Sequence, residues 1–292
     1  MLKTRSSLPY LLAFIAAMFW STVATAFKLA LRGFSPIQLL LYASSTSLLI
    51  LLIFNAIRFK GNPFVGIKNG IVLSAISGIL NPFLYYMVLF KAYDLLLAQE
   101  AQPLNYTWPI ALTLISIPIR RRKPSLWGLL GMVVSFSGVM FISTRGNPLS
   151  FRLSDPLGDS LALGSGLIWA AYWSVNADRG GDIAQNLMMN FIFGFPPLLL
   201  TALITDNLSP FPISSLAASI YSGIFEMGIT FLVWNHALSS AVDVSRISNI
   251  AYLSPFFSLI FIGLILRERI LWSSIVGLIL IVGGILVQNL RR

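Results

Sequence analysis

Cysteine is absent from this 292-residue chain, and histidine occurs once, at His236. The first absence excludes disulfides, thiolate nucleophiles and zinc ribbons. With one histidine, an HExxH metal site is excluded as well, and no Walker A segment is present to hydrolyse ATP. Neither a cofactor nor a metal is expected. Gly164-Ser165-Gly166 does not continue into a dinucleotide fingerprint and reads instead as a place where helices pack closely. Charge is also scarce. Only 10% of residues are charged and 57% are hydrophobic, against about 25% charged in a soluble domain. That is too little polar surface to coat a water-soluble globule, and no polar stretch is left for a soluble catalytic domain.

What is abundant is long apolar sequence. Ten runs approach the roughly 20 residues that a helix needs to cross a bilayer: Leu8–Ala30, Ile37–Ile57, Gly70–Ala92, Ala98–Ile117, Leu126–Ser143, Leu157–Val175, Ala184–Ile204, Ile213–Ser239, Ile247–Leu266 and Leu271–Val287. They lack the alternation of barrel strands, and in lipid each segment must pair its own backbone amides, so helices are expected. The first run has a basic start at Lys3 and Arg5 and small residues at Ala24-Thr25-Ala26, as a signal peptide does. Its length, and the nine helices that cleavage would leave, favour a retained first span. The fold class expected is all-α integral membrane.

Lys and Arg set the orientation. With a cytoplasmic N-terminus the inner face carries thirteen of the twenty (Lys3, Arg5, Arg58, Lys60, Lys68, Arg120, Arg121, Arg122, Lys123, Arg179, Arg246, Arg291 and Arg292). The outer face carries five: Arg32, Arg145, Arg152, Arg267 and Arg269. Both termini are therefore expected inside. The net charge of +10 reads as anchoring to anionic lipid, not as nucleic-acid binding.

The ten runs divide at the polar stretch Thr144–Asp159 into two sets of five, residues 1–150 and 151–292. Pro109 and Pro255, Tyr106 and Tyr252, Gly131 and Gly277, and Gly138 and Gly284 all share one offset of 146. Because five is odd, a second copy enters the membrane upside down. Such inverted repeats build a midplane site that opens to either side.

Several segments resemble the EamA-type transporters of the drug/metabolite transporter superfamily. Trp20-Ser21-Thr22 with Lys28 is similar to that family's first helix, and Trp169-Ala170-Ala171-Tyr172 to its sixth. Pro109 and Pro255, each followed by a Gly-rich helix, resemble its repeated fourth and fifth helices. Leu266-Arg267-Glu268-Arg269 resembles its acidic turn, whereas Arg121-Arg122-Lys123 stands where a Glu is usual. Asn105-Tyr106-Thr107-Trp108-Pro109 together with Trp169–Tyr172 resembles the bacterial aromatic amino-acid and amino-acid exporters of that family. The resemblance implies transport, and with it a cavity walled by the first, third, fourth, sixth, eighth and ninth helices.

Polar residues deep in a bilayer usually face the bundle interior. Glu226 is mid-way along the eighth run, and Asn81, its counterpart 145 earlier, precedes Pro82. Tyr85 follows Asn81 by four residues, one helical turn. Asn105, Tyr106 and Trp108 cluster before Pro109, while Trp169 and Tyr172 share a helix face. With Tyr252 these residues suggest a cavity of aromatic walls and oriented polar groups, suited to amphipathic or aromatic solutes. Glu226 would engage an ammonium or a proton. Pro109 and Pro255 are expected to kink their helices and act as hinges. Lys28 and His236 are further possible site residues, each also explained as an interfacial side chain.

The function expected is secondary transport, by alternating rocking of the two halves, exporting small amphipathic metabolites such as aromatic amino acids across the inner membrane. The partners are a small-molecule substrate and the lipid bilayer, with the protein a monomer or homodimer. Two alternatives stay open at this stage. One is a different cargo, a drug or a nucleotide sugar; the other is a membrane-embedded lipid-carrier enzyme or accessory subunit.

Overall fold

The computed structural model describes residues 7–65, 70–120, 126–147, 149, 153, 155–176, 179–205, 212–241, 247 and 249–288. The basic residues Lys3, Arg5, Lys68, Arg121, Arg122, Lys123, Arg152, Arg246, Arg291 and Arg292 lie outside them. Among the described residues the chain is all-helical, with no strand. The helices are α1 (Leu8–Leu31), α2 (Pro36–Arg58), α3 (Ile71–Gly78), α4 (Tyr85–Leu95), α5 (Ala98–Asn105), α6 (Trp108–Arg120) and α7 (Leu126–Ser143). Then come α8 (Pro156–Asn176), α9 (Ile183–Ile204), α10 (Ile213–Ser222), α11 (Ile229–Ser240), α12 (Ser254–Phe261) and α13 (Trp272–Gln288).

Six helical stretches are long and apolar enough to cross a membrane: Leu8–Leu31, Pro36–Arg58, Ile71–Leu95, Leu126–Ser143, Ile183–Ile204 and Ile213–Ser240. Ala251–Leu266 and Trp272–Val287 are shorter apolar helices. Local chemistry sets several boundaries. Ser35 and Gln38 form a reciprocal capping box before α2, with Pro36 in the first turn where its missing N–H costs nothing. The Asp182 carboxylate accepts from the Gln185 amide at the start of α9, and Asp155 from Gly158 at the start of α8.

The third and eighth runs are interrupted at equivalent places. Ile79–Leu84 joins α3 to α4 as a π-helical stretch, with Asn81 in a non-helical conformation (φ −147°, ψ 118°) before a cis Pro82. Gly223–Gly228 joins α10 to α11 in the same way, and the Thr230 hydroxyl donates to the Phe225 carbonyl five residues back. Regular helical spacing therefore does not run from Asn81 to Tyr85, contrary to the single face expected for them.

The expected fourth and ninth spans are also broken. The fourth splits into α5 and α6 at Tyr106–Thr107. Pro109 has no N–H for the Asn105 carbonyl, and the Thr107 hydroxyl donates to the Leu104 carbonyl at 2.7 Å. In the ninth, a 3₁₀ turn at Ala251–Leu253 precedes α12. Pro109 and Pro255 are thus each the second residue of a helix, in the turn that tolerates proline. They do not kink a continuous helix, as the sequence suggested; each starts a helix just after a break.

The helices form two compact units that cut across the two halves of the sequence. The first unit comprises Met1–Phe83 with Gly180–Phe261, and the second Leu84–Arg179 with Ile262–Arg292. In the first unit α1 packs on α10, α11 and α12, and α9 packs on α2 and α3. Gly78 and Gly194 make the last of these contacts possible: a Cβ on Gly194 would fall 2.6 Å from the Gly78 carbonyl oxygen. In the second unit α8 packs on α4, α5 and α6, while α7 packs along α13. That last pair is nearly backbone to backbone. A Cβ on Gly138 would meet the Gly277 carbonyl oxygen at 2.5 Å, and one on Gly277 the Gly138 oxygen at 2.7 Å. Gly284 lies similarly against Gly131, and the Ser135 hydroxyl donates to the Ile281 carbonyl at 3.0 Å. Interfaces of small residues are the usual way for helices to approach closely in lipid.

Candidate functional site

Most of the residues singled out by sequence come together in the second unit. Trp169, Tyr172 and Trp173 occupy one face of α8 by their spacing. Trp169 stacks on Tyr172 (centroids 5.3 Å apart, 19° between planes) and on Tyr85 of α4 (4.6 Å, 29°). Tyr86 and Trp173 meet this stack edge-on. Polar groups fix its orientation. The Tyr85 hydroxyl donates to Asn105 Oδ1 at 3.3 Å, Asn105 Nδ2 donates to Ser165 Oγ at 2.8 Å, and Ser165 donates to the Ala162 carbonyl at 2.6 Å. Both Asn105 and Ser165 are buried. Gly166 lets this arrangement close, because a Cβ there would stand 3.2 Å from the Asn105 carbonyl oxygen. Close packing thus occurs at Gly166, whereas Gly164 faces open space. Trp173 Nε1 is buried without a hydrogen-bond partner. Tyr106 and Trp108, in the turn between α5 and α6, are half-buried.

Asn81, Glu226 and Tyr252 belong to the first unit and are not part of this stack. The Asn81 side chain is 1% exposed, and neither of its polar atoms has a hydrogen-bond partner. Glu226 is half-buried on the π-helical stretch Gly223–Gly228. Beside it in sequence, Phe225 packs at a tilt against the rings of Phe19 and Tyr221, and the Tyr221 hydroxyl is 2.7 Å from Thr22 Oγ1 of α1. Trp20 packs against Phe231 and Trp234. The Thr22–Tyr221 pair went unnoticed in the sequence: Thr22 stands out there only within the Trp20-Ser21-Thr22 segment, and Tyr221, distant in sequence, not at all. Lys28 is half-buried and His236 exposed. Lys91 is exposed and pairs with Asp94 at 2.7 Å, as a side chain reaching for the interface does.

A second polar cluster in the second unit was also missed. Glu100, with its side chain 1% exposed, receives Arg145 through two hydrogen bonds, Nε to Oε1 at 2.7 Å and Nη2 to Oε2 at 3.3 Å. This pairing holds the Arg145 guanidinium above its ordinary pKa. Gln99, fully buried, accepts from the Leu271 amide at 2.7 Å and donates to the Arg269 carbonyl at 3.0 Å. Glu268 accepts from the Ala98 amide at 3.2 Å, capping α5. The signal was present as the polar run Ala98-Gln99-Glu100-Ala101-Gln102, absorbed into an apolar span. Among the described residues no group of three His, Cys, Asp or Glu could hold a metal.

The model of the EamA-like transporter family matches residues 7–144 and again residues 156–290. The chain belongs to the EamA-like transporter family. An uncharacterized transporter of Archaeoglobus fulgidus is 23% identical over 296 residues, spanning 98% of this chain and 99% of that protein. The aromatic amino acid exporter YddG of Ancylobacter novellus is 25% identical over 300 residues, spanning 96% of each. A solved crystal structure, 22% identical, aligns with a TM-score of 0.66 over 98% of this chain and 99% of that one, a likeness of fold. The protein is therefore a multi-pass membrane transporter that handles a small molecule. It is not an enzyme, and the lipid-carrier enzyme reading falls.

Proposed function

We propose that this transporter exports small amphipathic metabolites, amino acids and aromatic ones foremost, from the cytoplasm across the inner membrane by alternating access. The observation that carries the reading is the Tyr85–Trp169–Tyr172 stack, with the oriented Asn105 amide and the unpaired Trp173 indole N–H beside it. A flat ring gains stacking energy among such rings, and a carboxylate or amide gains the free donor. The name of the Ancylobacter novellus relative agrees with this substrate class. Tyr106 and Trp108 extend the aromatic lining. In the first unit, Asn81, Tyr252 and Glu226 are substrate contacts in their own right, Glu226 to an ammonium or a proton.

The architecture proposed is ten spans in two inverted repeats, residues 1–150 and 151–292, with both termini cytoplasmic. Two features support it beside the double family match. The glycines paired by the 146 offset meet reciprocally, Gly131 with Gly284 and Gly138 with Gly277, as equivalent helices do across a two-fold axis. The third and eighth runs are interrupted at Asn81 and Glu226, 145 apart. Separating the sequence halves outright would tear α1 from α11 and α7 from α13, so the cycle must keep those pairs together. The breaks before Pro109 and Pro255 are the points of bending.

Counterflow of labelled amino acids in proteoliposomes tests the reading. Phenylalanine and tryptophan should exchange, and Trp169→Ala should lower their flux at least tenfold while leaving folded protein. Equal flux of the variant, or no exchange of any amino acid, overturns it.

A further inference from the structure

Among the described residues, the cluster around Glu100 holds more negative charge than Arg145 alone answers. Asp159, in the first turn of α8, is 3% exposed, and neither of its carboxylate oxygens has a hydrogen-bond partner. Capping of α8 is already performed by Asp155, so Asp159 is not required for it. The neighbouring Ser143 hydroxyl, at the end of α7, is also buried and is the one side chain placed to donate to Asp159, though outside ideal hydrogen-bond geometry. The charged groups that act on Asp159 are Glu100 from α5, Asp155 from the start of its own helix and Arg145 from the turn after α7. Lys91 and Asp94 on α4 pair with each other, and the described side chains of α6 carry no charge. A buried carboxylate without donors is costly as an anion. Arg145 answers one such anion, and in this structure it answers Glu100.

We propose that Asp159, with Ser143 beside it, is a proton-binding site of this transporter, and that Arg145 moves from Glu100 to Asp159 when the proton leaves. Protonation converts the carboxylate to a neutral carboxyl and leaves the Glu100–Arg145 pair intact. Loss of the proton creates a second buried anion that competes for the single guanidinium, so the two acids behave as one coupled titrating pair. Arg145 sits in the left-handed region (φ 51°) followed by Gly146 (φ 87°), and its side chain is 52% exposed, which gives the proton a route to solution. Glycine is the ordinary occupant of that post-helix position, so an arginine there bears a conformational cost that glycine would not. Releasing Glu100 would unfasten α5 from the end of α7, tying proton occupancy to a change of conformation. The inference rests on membership of the transporter family and not on which solute is carried.

The test is infrared titration of the whole protein in lipid nanodiscs, reading the C=O stretch of protonated carboxyls. Wild type should show a component of that band that already grows above pH ~5, where exposed carboxyls are still ionised. Asp159→Asn should lose it, and Asp94→Asn, at the exposed pair with Lys91, should keep it. Glu100→Gln should also lose it although Asp159 is still present, because the freed Arg145 then holds Asp159 ionised; a purely structural Asp159 predicts no such loss. The band persisting in Asp159→Asn, or in Glu100→Gln, overturns the proposal. In proteoliposomes a pH gradient should accelerate amino-acid flux at least tenfold in wild type and not in Asp159→Asn, which keeps gradient-free exchange. A sodium gradient acting in place of the pH gradient overturns proton binding. If no amino acid is carried, the infrared arm still decides.

Discussion

Replacing Gly138 by alanine tests the close approach of α7 and α13. The added methyl would lie 2.5 Å from the Gly277 carbonyl oxygen, 2.9 Å from Leu280 Cβ and 3.0 Å from Ile281 Cγ1. Ordinary contact begins at 3.4 Å, so α7 and α13 must part by about 0.9 Å. The obstacle is backbone, and no rotamer change relieves it. Parting by that amount stretches the Ser135–Ile281 hydrogen bond beyond useful length, a loss of about 1 kcal/mol. Overpacking adds about 1–3 kcal/mol. Alanine returns ~1 kcal/mol through its better helix propensity. The net expectation is a destabilisation of roughly 1–3 kcal/mol. Thermal unfolding of the protein purified in nanodiscs measures it. Gly164→Ala is the control: its Cβ meets nothing within 4 Å, so the same substitution should be neutral or stabilising by up to about 1 kcal/mol. Equal melting of Gly138→Ala and wild type would refute the close approach of α7 and α13.

Arg145→Gly should gain at the left-handed position but strand Glu100, for a net loss of about 2 kcal/mol; adding Glu100→Gln should restore most of it in a double-mutant cycle. Glu268→Ala removes the acceptor from the Ala98 amide, and a drop of about 1 kcal/mol is expected in the same unfolding assay. Glu226→Gln should reduce amino-acid counterflow several-fold with no change in melting temperature, and wild-type flux from that variant would remove Glu226 from the site.

The chain's low charge and its long apolar runs determined by themselves that this is a helical membrane protein. Lipid leaves backbone amides no partner but the helix, so hydropathy and length suffice. Local motifs were legible too. The spacing of Trp169 and Tyr172 put both rings on one face, and the 146 offset marked the glycines that later proved to touch. Tertiary structure decided which helices pair, since apolar surfaces carry no address: α7 could have packed on any neighbour until the glycine notches of α13 met its own. It also decided what proline does. Pro109 and Pro255 read as kinks within helices, yet the backbone breaks ahead of each and restarts on it. The polar run at Gln99–Glu100 was invisible as a network, because its partners Arg145, Asp159 and Glu268 are distant in sequence. Burial of Glu100 and Asp159 removed the water that would otherwise have solvated each carboxylate separately, which leaves them in one another's field.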